Sequence, residues 1–165
     1  MSTVAIDAEE LGTFLNQLRS RLGDRVIGRQ DPGWNEARRA WNLAVDQRPA
    51  AVAIPESAQD VVAVVEVARE RGLRVAPQGS GHSAAPRASL ERSVLVDMSG
   101  MNAVEIDPYR RRARLQAGAQ WQHVTGPAAE HGLAGLSGSA PDVCVTGYAP
   151  WWRELDGPPV RAGRQ

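Results

Sequence analysis

Leu73-Arg74-Val75-Ala76-Pro77-Gln78-Gly79-Ser80-Gly81-His82-Ser83 runs from a short apolar strand into a turn of small residues with one histidine at its tip. The preceding text defines what this strand belongs to. Ala51-Val52-Ala53-Ile54 is a second short apolar strand, closed by Pro55. Ser57 stands where a helix N-cap is needed, with Asp60 three residues on, and Val61, Val64, Val65 and Ala68 supply a buried stripe that ends at Gly72. Strand, helix and strand make a β-α-β unit, expected to be parallel and right-handed. The Gln78–Ser83 turn then lies at the carboxyl end of a parallel strand, where open α/β sheets place ligands. Gly79 and Gly81 allow positive φ and leave backbone N–H groups uncovered, so the turn can form a nest for phosphate oxygens with His82 beside it.

The competing readings of this turn are specific. A glycine-rich turn can be only a turn. It lacks the Lys-Ser/Thr ending of a Walker loop, and Gly-x-Gly-x-x-Gly fails because position 84 is Ala84. Gly-x-Ser-x-Gly is absent, and Ser80 and Ser83 next to His82 in the chain are poorly placed for a hydrolytic triad.

Working outward, Leu11, Phe14, Leu15, Leu18 and Leu22 recur at helical spacing between Asp7, an N-cap, and Gly23, a stop. From Val26 to Trp34 the text is rich in Gly, Pro and Asp and reads as loop. Trp34 and Trp41 are seven apart, which places both indoles on one face of a short helix or turn, a pattern that reads first as core. Beyond the turn, Val94-Leu95-Val96-Asp97-Met98 reads as a third buried strand. Val104–Asp107 and Arg112–Ala117 alternate around Asp107-Pro108-Tyr109 as a hairpin with one wet face carrying its arginines. Trp121 to His131 reads as a helix with Trp121, Val124, Ala128 and His131 along one side. From Gly135 to Tyr148 small residues dominate, as close backbone approach to a flat ligand requires.

Composition narrows the function classes. The chain has 165 residues and a formal net charge of zero, and all its basic residues are arginine. That balance gives no electrostatic case for nucleic acid or an anionic membrane, and Arg110-Arg111-Arg112 is too short to reverse it. No apolar run approaches the roughly 20 residues that span a bilayer, and Met1–Glu10 has no leader pattern, so a cytoplasmic protein is expected. Cys144 is alone, which excludes an internal disulfide and a thiolate zinc cluster. His123 and His131 are the one histidine pair on a single predicted helix, and no metal site is expected.

Trp41-Asn42, Asp46-Gln47-Arg48-Pro49-Ala50, Ile54-Pro55, Val75 through His82, Asp107-Pro108, Ala117-Gly118-Ala119, His131-Gly132-Leu133 and Gly138-Ser139 through Val145-Thr146-Gly147-Tyr148 form an ordered set of blocks. Together they resemble the N-terminal half of the FAD-binding (PCMH-type) domain of the vanillyl-alcohol oxidase / p-cresol methylhydroxylase superfamily, nearest the bacterial berberine-bridge-enzyme-like oxidoreductases. The resemblance implies an α+β fold, with an N-terminal helix and loop at 1–33 and a partial FAD-binding domain at 34–148. It implies that Gln78, Gly79, Ser80, Gly81, His82 and Ser83 wrap the FAD pyrophosphate, and that His82 matches the histidine joined covalently to a methyl carbon of the flavin in many members. Gly138, Ser139, Val143 and Gly147 match a second flavin-contacting segment. The second, cysteinyl link of some members falls near Ala140 and not on Cys144, so a single tether is expected, with Cys144 a small core residue. Members oxidise small organic substrates by hydride transfer to FAD, the protein tuning the cofactor.

After Tyr148 the family pattern continues as Thr-Leu-Gly-Gly-Gly, whereas here Ala149-Pro150-Trp151-Trp152 leads to Gly157-Pro158-Pro159. Such text is what glycine codons of GC-rich DNA give one base out of register, so a frameshift or early stop is expected, with 149–165 a divergent tail. The family's substrate pocket and general base lie beyond this point. No catalytic residue is therefore expected in this chain. The alternatives to a flavin-holding fragment are a remnant that binds no flavin tightly and a nucleotide-binding module without redox chemistry.

Overall fold

A computed structural model of the protein describes residues 6–84 and 89–148. In chain order the elements are α1 (Ala8–Leu22), β1 (Val26–Gly28), α2 (Trp34–Ala37), β2 (Ala51–Ala53), α3 (Ala58–Glu70), β3 (Arg74–Gln78), β4 (Ser93–Asp97), β5 (Val104–Asp107), β6 (Arg112–Leu115), α4 (Trp121–Ala129) and α5 (Val145–Tyr148). The expected frameshifted tail, 149–165, lies outside the described residues.

Four strands form one sheet in the order β1-β2-β4-β3. The unit β2-α3-β3 is present, but β2 and β3 are not neighbours. β4 enters between them and pairs parallel with both, Leu95 standing opposite Val52 on one side and Ala76 on the other. A strand flanked on both edges and covered on both faces needs apolar residues throughout, and Val94, Leu95 and Val96 are all buried. Alternation along β4 divides them by face. Val94 and Val96 join Phe14, Leu18, Leu22, Val64, Val67 and Ala68 in the core under α1 and α3. Leu95 and Ala76 point the other way, into the groove described below. Full burial of Phe14 and Leu18 stabilises by roughly 1.5–3 kcal/mol each.

Local chemistry sets the ends of the helices. Asp7 accepts the Glu10 amide at 2.7 Å, and Gly23 closes α1 at φ +67°. At α3, Ser57 Oγ accepts the Asp60 amide at 3.1 Å, while the Asp60 carboxylate takes the Glu56 amide at 3.0 Å and Arg25 Nη1 at 2.6 Å. The Arg25 hydrogen bond, then the Glu56 amide, lower the Asp60 pKa to about 2.

Four sequence expectations change. Val26–Gly28, read as loop, is an edge strand antiparallel to β2, with Gly28 set so close to Leu15 that a Cβ would lie 2.9 Å from its Cδ1. The stripe of α3 is Ala63, Val64, Val67 and Ala68, and Val65 is exposed. α4 stops at Ala129, which leaves His131 exposed past its end. Trp34 and Trp41 share no helix face, because α2 ends at Ala37 and the chain turns again at Asn42, whose side chain accepts the Ala44 amide. Trp41 is 59% exposed and is no core residue.

The β5–β6 hairpin forms as expected, Val104 opposite Leu115 and Asp107 opposite Arg112, with its arginines outward. It packs with α4 and α5 into a second apolar cluster built on Trp121, Val124 and Val145.

Candidate functional site

The end of β3, the turn after it and the segment 143–148 enclose a groove of about 950 Å³. Gln78, Gly79, Ser80, Gly81, His82 and Ser83 line one wall, Val143, Cys144, Thr146, Gly147 and Tyr148 the other, and Leu95, Ala76 and Met98 the floor. Its size is that of a small-molecule or cofactor site.

The two glycines of the turn are required by close approach to protein. A Cβ on Gly79 would stand 2.5 Å from Cys144 Sγ, and one on Gly81, at φ +75°, would stand 3.0 Å from the Trp41 amide nitrogen. The turn is thus pinned between the two segments on either side. Among the described residues, no protein acceptor takes the N–H groups of Ser80, Gly81, His82 and Ser83, whereas the Ala84 amide is bonded to Gly81 O at 3.2 Å. Four uncommitted amides on a tight turn are the donor set an anion takes.

Side-chain amides brace the approach to the turn. Buried Gln47 donates to Arg38 O at 3.0 Å and to Gln78 Oε1 at 2.8 Å, and Gln78 donates in turn to Arg39 O at 3.2 Å. At the rim, hydrogen bonds from Arg38 and then Arg48 hold the Asp46 carboxyl below the usual carboxylate range.

His82 is held on three sides. Its Nδ1 lies 2.8 Å from Ser80 Oγ, its ring stacks on Trp41 with centroids 4.4 Å apart and planes 20° from parallel, and Asp142 Oδ1 is 3.8 Å from Nε2. Among the described residues Nε2 is buried without a hydrogen-bond partner. The charged group that faces this nitrogen is the Asp142 carboxylate.

Six expected site residues, Gln78 to Ser83, and two of the second segment, Val143 and Gly147, meet in one groove. Gly138 instead lies against the Tyr148 ring, where a Cβ would be 3.4 Å from its Cε2, and Ser139 is exposed. Cys144 is buried, with Sγ donating to Ala117 O at 3.1 Å. His123 accepts the Gln120 amide at the start of α4, and among the described residues no cluster could hold a metal ion. No described helix is long and apolar enough to cross a membrane. Sequence reasoning missed Trp41 and Asp142 as site residues. Trp41 stood in the first block of the resemblance, and its indole gave a signal only for core.

Comparison with known proteins shows the family of the chain. Residues 49–149 match the FAD binding domain family, and the chain belongs to it. Over 124 residues it is 32% identical to (R)-6-hydroxynicotine oxidase from Paenarthrobacter nicotinovorans, covering 75% of this chain and 27% of that protein. Xylooligosaccharide oxidase from Myceliophthora thermophila, in complex with xylobiose, superposes with a TM-score of 0.70 at 27% identity, covering 81% of this chain and 29% of that one. Glucooligosaccharide oxidase from Acremonium strictum, whose FAD is described as 6-S-cysteinyl, 8α-N1-histidyl, superposes with a TM-score of 0.67 at 29% identity over 79% of this chain and 28% of its own. This chain spans less than a third of the length of each of these relatives. The fold is that of the PCMH-type, berberine-bridge-like FAD-linked oxidoreductases, as the sequence blocks imply.

Proposed function

We propose that this chain is the flavin-holding portion, 34–148, of an oxidoreductase that oxidises a small organic substrate by hydride transfer to FAD. The free amides of Ser80 to Ser83 hold the pyrophosphate. Val143 and Gly147 line the opposite wall, with Gly138 behind Tyr148 and Ser139 following it in the same segment. His82 tethers the flavin. The observation that carries this reading is a set of four amides, Ser80 to Ser83, that no acceptor among the described residues takes, on the same turn that carries the His82 imidazole. That combination suits a dinucleotide better than a bare turn, since adjacent backbone donors on a tight turn form a nest for phosphate oxygens. FAD supplies the hydride-accepting ring, and the protein supplies orientation and electrostatics. With one cysteine in the chain, and Ala140 at the position matched to the cysteinyl link, the tether is single.

Incubating the full chain with FAD and precipitating it in acid should leave yellow colour in the pellet, carried by the peptide containing His82. His82→Ala should release all the colour on precipitation while retaining reversible FAD binding. Acid-stable flavin in His82→Ala would refute the tether. Equal binding of ADP and FAD, with no acid-stable colour in the wild type, would favour a nucleotide-binding module without redox chemistry.

A further inference from the structure

Trp41 and Asp142 lie 101 residues apart in the chain and meet at His82. Core burial does not account for Trp41, since its indole is 59% exposed. Its contacts do. One face stacks on the imidazole, and Nε1 donates to Asp142 Oδ2 at 3.1 Å. That bond fixes the carboxylate so that its other oxygen, Oδ1, faces His82 Nε2 at 3.8 Å. The distance is too long for a direct hydrogen bond, yet a carboxylate this close favours a proton on the facing nitrogen over a lone pair. On the opposite side Ser80 Oγ accepts the Cys144 amide at 3.1 Å, which leaves its own O–H free to donate toward Nδ1, 2.8 Å away. Donor and acceptor preferences at the two nitrogens therefore agree, and the partner of one fixes the state of the other.

We propose that Trp41, Asp142 and Ser80 are positioning residues that lock the His82 ring plane and its tautomer, with the proton on Nε2 and the lone pair on Nδ1. This rests on the tether reading for its purpose and on geometry alone for its existence. Joining Nδ1, the nitrogen that keeps the lone pair, to a flavin methyl carbon displaces the Ser80 hydroxyl and exchanges one C–H and one imidazole N–H for one C–N bond. The two protons and two electrons leave to dioxygen as hydrogen peroxide. The imidazole proton that is lost is the one facing Asp142, so its carboxylate stands where that proton departs.

Two measurements on the full chain test the clamp. The first is long-range proton–nitrogen correlation of the His82 ring, without FAD and in alkaline buffer. It should show one species protonated at Nε2 in the wild type and a mixture of tautomers in Asp142→Asn. Asp142→Asn keeps the size and an acceptor for the indole while removing the charge. The second is the rate at which acid-stable flavin accumulates. It should fall about tenfold or more in Asp142→Asn, the range of a lost proton acceptor, with reversible FAD affinity within about twofold of wild type. Trp41→Phe, which retains a stacking ring, should show an intermediate rate, and Ser80→Ala should weaken the tautomer preference from the other side. Each variant is compared at matched thermal stability. An unchanged tautomer population or an unchanged rate in Asp142→Asn overturns the proposal. Absence of acid-stable flavin in the wild type would refute the tether instead, and the ring measurement would still decide the clamp.

Discussion

Gly79→Ala tests whether the turn is held as the groove geometry requires. The added Cβ would stand 2.5 Å from Cys144 Sγ and 2.6 Å from Cys144 Cβ, against about 3.5–4.0 Å for an ordinary carbon contact, so one segment must move by about 1 Å. Cys144 is poorly able to yield. Its amide donates to Ser80 Oγ at 3.1 Å, its Sγ donates to Ala117 O at 3.1 Å, and it bridges to Gln120. Overpacking of this kind costs about 1–3 kcal/mol. At about 2–4 °C per kcal/mol for a chain of this size, the melting temperature should fall by about 2–12 °C. FAD affinity should fall too, because the strain separates the two walls of the groove. Cys144→Gly removes both clashing atoms, so the double variant should recover part of the loss, with a coupling energy of about 1–2 kcal/mol. Gly12→Ala is the control: no group outside its own helix lies within 4 Å of its added Cβ, and α1 should gain about 0.5–1 kcal/mol from helix propensity. Thermal melts of the four variants against wild type, followed by FAD titration, give the cycle. A Gly79→Ala protein with wild-type melting temperature, or strictly additive effects with Cys144→Gly, would refute the packing assigned to the turn.

Further outcomes follow from the core and the caps. Phe14→Ala opens a cavity beneath α1 and should cost about 3–5 kcal/mol, read by chemical denaturation, and a loss under about 1 kcal/mol would show that α1 does not belong to that core. Asp60 has a folded pKa lowered to about 2 by Arg25 and the Glu56 amide, from an ordinary value of 3.8. Its contribution is complete above the ordinary value and is lost as pH falls through the folded one. Wild type should therefore lose up to about 2 kcal/mol from this group between about pH 4 and pH 2, and Asp60→Asn should lack that part of the acid dependence. Parallel acid-dependence curves for the two proteins would contradict the assignment.

The sheet and its main helix were legible because local patterns decided them. Val94–Val96 is apolar without a break, as a strand covered on both faces must be, and the Ser57 cap fixes the start of α3 whatever surrounds it. The insertion of β4 between β2 and β3 was not legible, since strand order depends on pairing across distant parts of the chain. β1 was missed because three residues ending in Gly28 carry too little alternation to register as a strand. The tight turn after β3 was readable from Gly79 and Gly81, whose spacing states a backbone requirement. Trp41 was misread for a physical reason: a seven-residue interval suggests a helix face only while the helix lasts, and α2 ends at Ala37. Its partners, His82 and Asp142, come from distant segments that no local pattern connects.

The most direct test of the central claim is to titrate the isotope-labelled chain with FAD and follow its backbone amides. The largest downfield shifts should fall on Ser80, Gly81, His82 and Ser83, as hydrogen bonds to phosphate oxygens replace open amides. Saturable FAD binding that leaves those four resonances in place, or no binding by a chain whose spectrum is that of a folded protein, would contradict it.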